Sequence, residues 1–200
     1  MQLLLNLAPN PTLAQAEWLP TVGTHQATQA TLNANPTTIG TICLYGPSGC
    51  GKTHLLAKLA SQNPSLVLAD NLESLTAQQQ EELFHHFNNR QGRGLITTSQ
   101  LPVAQLSLLP DLKSRLLTGQ HIEMQLPTEA ELTHLLQSWA TTRQLTLSPE
   151  VTHYLLTRTA RNPHTLLGLL NQLNTLSLLQ KRAITIPLVH MALARSTPES

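Results

Sequence analysis

A chain of 200 residues is long enough for one large domain, or for a medium domain and a small one. Its 12 Lys and Arg against 11 Asp and Glu leave a formal net charge of +1. No broad electropositive surface is therefore on offer, and strong direct binding to nucleic acid, which rests mostly on phosphate neutralisation, is not expected.

The N-terminal run Met1-Gln2-Leu3-Leu4-Leu5-Asn6-Leu7 has no charged leader, and its apolar stretch is far too short for a signal peptide or a membrane span. Residues 9 to 37 are polar, rich in Pro, Thr, Asn and Gln, and weak in period. They read as an extended arm with one short helix around Leu13 to Trp18. Aromatic residues make up only 3% of the chain, so leucine must build most of the core that follows.

From residue 38 to residue 126 the pattern is α/β. Ile39 to Tyr45 is an apolar, β-branched strand, and Thr53 to Ala60 a helix. Leu66 to Asp70 is a buried strand ending in a carboxylate. A capping box, Thr76 with Gln79, opens a helix whose apolar face carries Leu83, Phe84 and Phe87. Gly92 to Gly94 breaks it, Leu95 to Ser99 forms a third strand, and a short helix follows around Asp111 to Leu117. The last strand, Ile122 to Leu126, alternates Ile122, Met124 and Leu126 on one face.

After Pro127 the period becomes helical throughout, to residue 200. Thr128 and Glu131 make a second capping box, ahead of Leu132, Leu135, Leu136 and Trp139 at helical spacing. Ser148-Pro149 and Asn162-Pro163 each place an N-cap before a proline at the first helical position. The second of these opens a leucine-rich helix to about Gln180, and Ile186-Pro187 opens a final short one. An α/β domain followed by a small all-helical domain is expected.

The chemistry concentrates in Gly46-Pro47-Ser48-Gly49-Cys50-Gly51-Lys52-Thr53, which fits G-x-x-x-x-G-K-[ST] at a strand-to-helix junction. Such a turn presents backbone N–H groups and a positive helix N-terminus to a polyphosphate. Lys52 would reach the β and γ phosphates, and the Thr53 hydroxyl would hold Mg²⁺. The bland alternative is a Gly-rich loop whose lysine faces water. Cys50 is read as a small loop residue, with an oxidisable thiol as the other reading. Cys43 lies in the predicted strand, so the two cysteines are poorly placed to pair, and a reduced, cytoplasmic setting is expected.

Asp70 ends the strand after the phosphate-loop helix, where a carboxylate can hold the metal. Asn71 follows it. A carboxylate there would activate the attacking water, but an amide cannot usefully accept a proton, and Glu73 lies two residues on. Slow intrinsic hydrolysis is expected. Thr97, Thr98 and Ser99 close the third strand, where a hydroxyl can sense the γ phosphate. Arg115 sits on the short helix before the last strand, placed to project into a neighbour's nucleotide. The alternative is a surface arginine paired with Asp111 at i,i+4.

These motifs together resemble AAA+ ATPases of the DnaA clade, and most specifically the Hda family of DnaA regulatory inactivators. Leu109-Pro110-Asp111-Leu112-Lys113-Ser114-Arg115-Leu116, Phe84-His85-His86-Phe87-Asn88 and Ile184-Thr185-Ile186-Pro187 carry that resemblance. It implies a P-loop AAA+ core with a helical lid domain, and a nucleotide site (ADP or ATP, with Mg²⁺) made by Gly46 to His54, Asp70, Thr98 and a lid residue. His164 stands where the lid's sensing arginine is expected, with Arg161 as its substitute. Arg115 becomes a finger acting in trans on a DnaA-type initiator. Residues 1 to 8 resemble the peptide that docks on the replicative sliding clamp, through Gln2, Leu3, Leu5 and Leu7.

Two departures bear on the fold and site. Lys52 and Asp70 are too close for the strand and helix usual between them, so a four-stranded sheet with one edge missing is expected, and self-association into a homo-oligomer is left open. Ser99 stands where relatives often carry aspartate. The resemblance implies a negative regulator of replication initiation; a stand-alone ATPase such as a helicase loader, or a non-hydrolysing adaptor, are the alternatives.

Overall fold

Period-2 alternation along four short strands explains how this chain builds two apolar layers from so few aromatics. The computed structural model describes residues 18–33, 39–89, 92–159 and 162–196. The expected docking peptide Gln2 to Leu7, the helix expected at Leu13 to Trp18 (Trp18 excepted) and Arg161 lie outside these residues. Strands β1 (Thr41–Tyr45), β2 (Val67–Ala69), β3 (Leu95–Ser99) and β4 (Gln120–Glu123) form one parallel sheet in the order β2-β3-β1-β4. The shortened four-stranded sheet is thus as the spacing of Lys52 and Asp70 demanded.

Ile42, Leu44, Leu68, Ile96 and Ile122 point to one face, where they meet Leu55, Leu56 and Leu59 of helix α2 (Lys52–Gln62). Cys43, Val67, Ala69 and Leu95 point to the other and meet Leu83, Leu112 and Leu116. Those three come from α3 (Ala77–Asn89) and α4 (Pro110–Leu117). Leu55, Leu56 and Leu59 are fully buried, each side chain stabilising the fold by about 1.5–3 kcal/mol. Both faces of the sheet are covered, which is why β1 and β2 read as nearly continuous buried runs.

Two expectations are corrected. The segment 18–33 is not an extended arm. It forms a 3-10 turn, Val22–Thr24, and the helix α1 (His25–Thr31), with Ala27, Thr28 and Thr31 buried. Its hydropathy is low because threonines line the buried side. Thr28 Oγ1 donates to Thr24 O at 2.9 Å and Thr31 Oγ1 to Ala27 O at 2.6 Å, so the hydroxyls are satisfied inside the helix itself. Ala27 joins the cluster of Ile42 and Leu44, and Gln125 N donates to Gly23 O at 3.0 Å.

The last strand also differs, running Gln120–Glu123 rather than Ile122 to Leu126. It pairs with β1 alone, and Glu123 lies opposite Tyr45, the last residue of β1. Beyond Tyr45 the partner chain turns away at Gly46. One more bond, Met124 N to Tyr45 O at 2.7 Å, closes the ladder. Met124 stays buried, but Leu126 is 46% exposed.

The chain divides into two compact units at Leu126 and Pro127. The second holds helices α5 (Glu129–Thr142), α6 (Pro149–Arg158), α7 (Pro163–Gln180) and α8 (Ile186–Ser196). Thr128 and Glu131 form the reciprocal capping box. Ser148 Oγ accepts from Val151 N at 3.3 Å and Asn162 Oδ1 from His164 N at 2.9 Å. Leu132, Leu136 and Trp139 of α5 are buried, as are Leu155 of α6 and Leu166, Leu170 and Leu173 of α7. Among the described residues no helix is long and apolar enough to cross a membrane.

Candidate functional site

The Gly-rich turn leaves β1 at its C-terminal end, beside the end of β3, where Gly46 N donates to Ser99 O at 3.3 Å. This is where a parallel sheet reverses its winding and opens a crevice. Gly49 and Gly51 adopt positive φ, 88° and 101°, the left-handed region that favours glycine. At Gly46 the reason is space: a Cβ there would lie 2.0 Å from Met124 O. Gly51 is the N-cap of α2. Pro47 and Ser48 are exposed on the turn, Gly49 is half-buried, and Cys50 is buried beneath it.

Lys52 curls into this turn. Its Nζ donates to Gly46 O at 2.7 Å and Pro47 O at 2.9 Å, and lies 3.7 Å from Cys50 Sγ. A cation at the mouth of a loop that starts a helix is the arrangement that accepts an anion. The ammonium has only to exchange loop carbonyls for phosphate oxygens. Burial pushes the Cys50 thiol up, with the nearby Lys52 charge offsetting part of the rise. Burial of the thiol counts against the oxidisable-thiol reading, since a neutral, buried thiol is a poor nucleophile. Cys43 is raised for the same first reason, burial. Both cysteines are free.

Asp70 sits just past β2, half-buried, and two hydroxyls hold its carboxylate. Thr53 Oγ1 donates to Oδ2 at 2.8 Å, and Thr98 Oγ1 donates to Oδ1. A hydroxyl and a carboxylate in contact at the end of a phosphate loop suit Mg²⁺, which prefers oxygen ligands. Asn71 N donates to Thr98 Oγ1 at 2.9 Å. Asn71 itself is left-handed, φ 57°, a conformation asparagine tolerates better than most residues. The Glu73 carboxylate accepts Gln100 N at 2.9 Å, so it serves as a cap on the end of β3. Ser99 Oγ turns to Leu101 O at 2.6 Å, leaving Thr98 as the strand-end hydroxyl that faces Asp70.

Trp18 was missed at this site. Its indole Nε1 donates to Thr28 Oγ1 at 3.1 Å, and its ring meets the His54 ring edge to face, centroids 5.2 Å apart. A Cβ on Gly51 would lie 3.3 Å from the same ring. One tryptophan in a polar stretch was the available signal, and no periodicity supported it.

Arg115 lies on the exposed side of α4, opposite the buried Leu112 and Leu116. Its side chain bonds to none of the described residues, and the pair with Asp111 offered as the alternative is not made. His164, second residue of α7, is exposed, with its backbone N–H held by Asn162.

A phosphate loop on a parallel sheet, an adjacent strand-end carboxylate and a separate four-helix unit define an AAA+ P-loop protein. The family described as "Hda, lid domain" matches residues 129–193. An uncharacterized protein of Haemophilus influenzae is 31% identical over 180 residues, spanning 73% of this chain and 78% of that protein. Domain III of the Thermotoga maritima replication initiation protein DnaA has a TM-score of 0.76 at 18% identity, covering 89% of this chain and 94% of the other. Aquifex aeolicus DnaA, solved with AMPPCP, gives 0.69 at 22%, covering 84% and 66%. The Thermotoga maritima RuvB branch migration motor gives 0.66 at 16%, covering 92% and 73%. The chain belongs to the Hda-like group of DnaA-clade AAA+ proteins.

Proposed function

We propose that this protein is a negative regulator of replication initiation that lends Arg115 to the ATP site of a DnaA-type initiator. The carrying observation is Arg115 itself: a guanidinium with no side-chain partner among the described residues, on a short helix whose other side is anchored in the core. An arginine presented in trans stabilises charge on the transferring phosphoryl group and raises turnover by roughly 10³–10⁵. On this reading Gln2, Leu3, Leu5 and Leu7 hold the protein to the replicative sliding clamp, so that it acts where replication has begun.

The chain's own site is read as a holder of ADP or ATP with Mg²⁺. Lys52 and the N–H groups of Gly46 to Thr53 would take the phosphates, and Thr53 and Asp70 the metal; His54, Thr98 and His164 complete the set. Its chemistry is to neutralise the phosphate oxygens. The neighbouring DnaA solved with AMPPCP supports an adenine nucleotide. Asn71 supplies no general base, and Glu73 is engaged by Gln100, which counts against a stand-alone ATPase. The retained loop lysine and the exposed Arg115 count against a purely structural adaptor.

The test is initiator-bound ATP turnover with this protein added. Arg115→Ala is expected to lower the stimulated rate by about 10³, with Mg-ADP affinity by calorimetry and capture on the clamp both unchanged. Normal stimulation by the variant would show the assignment of Arg115 to be wrong.

A further inference from the structure

Gln80, in the first turns of α3, joins two backbone segments that are distant in sequence. Its Nε2 donates to Leu75 O at 3.0 Å, and its Oε1 accepts Leu109 N at 2.8 Å. Only this orientation of the amide works, because exchanging the two atoms would set donor against donor and acceptor against acceptor. Leu109 is the N-cap of α4 and brings no side-chain cap of its own. Gln80 therefore fastens, from a different element, the start of the helix that carries Arg115.

The other end of the bridge is the turn behind Asp70. That turn is tightly closed. Ser74 donates to Asn71 O through both N (2.9 Å) and Oγ (2.8 Å), and Leu75 N donates to Leu72 O at 3.3 Å. Leu72 and Leu75 share one apolar cluster with Leu112 and Leu116 of α4. Asp70 itself is tied to the phosphate-loop helix through Thr53 and to β3 through Thr98. A displacement at Asp70 thus reaches Leu75 through a closed turn, and reaches Leu109 through a single amide.

We infer that Gln80 is a positioning residue for Arg115, tying presentation of the arginine to the state of the chain's own phosphate site. This rests on the reading of Arg115 as a group acting in trans. The bridge bonds to Leu75 and Leu109 and not to the phosphate loop, and its effect runs through packed backbone with two hydrogen bonds as the links.

Two readouts test it on the full chain. Hydrogen exchange of the Asp111 to Leu117 amides, with and without Mg-ADP, needs no partner. The parent is expected to change exchange there by threefold or more, and Gln80→Ala to lose that response while binding Mg-ADP within twofold of the parent. No response in the parent, or an intact response in the variant, overturns the inference. In the turnover assay with ATP-loaded DnaA-type initiator, Gln80→Ala should cut maximal stimulation about tenfold and leave the half-saturating concentration alone. Unchanged stimulation overturns the role.

If Gln80→Ala cannot be purified folded, Gln80→Glu takes its place. It keeps an acceptor for Leu109 N and loses the donor to Leu75 O, so it should uncouple nucleotide from exchange while α4 stays formed; a Gln80→Glu variant that responds like the parent overturns the inference. Arg115→Ala, run beside them, separates the two claims. Stimulation that survives Arg115→Ala removes the trans-acting reading and with it this role for Gln80, whereas failure of the exchange response alone leaves that reading standing.

Discussion

The side-chain hydrogen bonds that open the helices of the helical unit are local, whereas the α/β unit adds to its own local bonds several that span long stretches of chain. In the helical unit Thr128 reaches Glu131, Ser148 reaches Val151 and Asn162 reaches His164, separations of three, three and two residues. One long link departs from this, Arg143 Nε to Asn171 Oδ1 at 2.9 Å. In the α/β unit, Thr53 reaches Asp70 across 17 residues, Asn71 reaches Thr98 across 27, and Leu109 reaches Gln80 across 29. The first kind of bond starts a helix. The second holds a site together, and it forms only when the sheet has put distant strand ends side by side.

The α/β unit is most sensitive where backbone meets backbone. Gly46→Ala drives a methyl group into Met124 O, 2.0 Å from the ideal Cβ. A loss of about 4 kcal/mol is expected in urea unfolding, with nucleotide binding abolished. A small effect would mean that the turn yields freely and that its closeness to β4 does not shape the site.

The helical unit should respond to cavities instead. Leu173 of α7 is fully buried, and Leu173→Ala is expected to cost about 3 kcal/mol. Mg-ADP-dependent exchange in Asp111 to Leu117 should remain in the folded variant. A lost response would show that the two units do not keep their roles apart.

The smallest effect belongs to the caps. Thr128→Ala removes an acceptor for Glu131 N and should cost about 1 kcal/mol, read as a modest fall in thermal midpoint. Thr128→Ser should restore most of it. If alanine costs nothing, the box reports local sequence grammar without contributing stability.

The same contrast accounts for what could be read in advance. The starts of α5, α6 and α7 lie where Thr128, Ser148-Pro149 and Asn162-Pro163 mark them, because cap and helix are contiguous in sequence. β3 also has the expected ends, Leu95 and Ser99. The end of β4 was misplaced because it depends on where β1 stops offering partners. α1 was missed because its buried side is threonine, whose internal hydrogen bonds conceal an inward face from any reading of hydropathy. Residue type alone did not separate Thr98 from Ser99, both polar at the same strand end; the family resemblance singled out Thr98, and the contact with Asp70 is made by it.

Residue types at fixed short spacing were enough to place the phosphate loop, the carboxylate strand, the shortened sheet and the helical unit. Tertiary structure alone decided that Asp70 is gripped from two sides, that Glu73 caps Gln100, that Arg115 stands free of Asp111, and that Gln80 bridges Leu75 and Leu109. Contacts of that kind depend on strand order and helix placement, which no local spacing encodes.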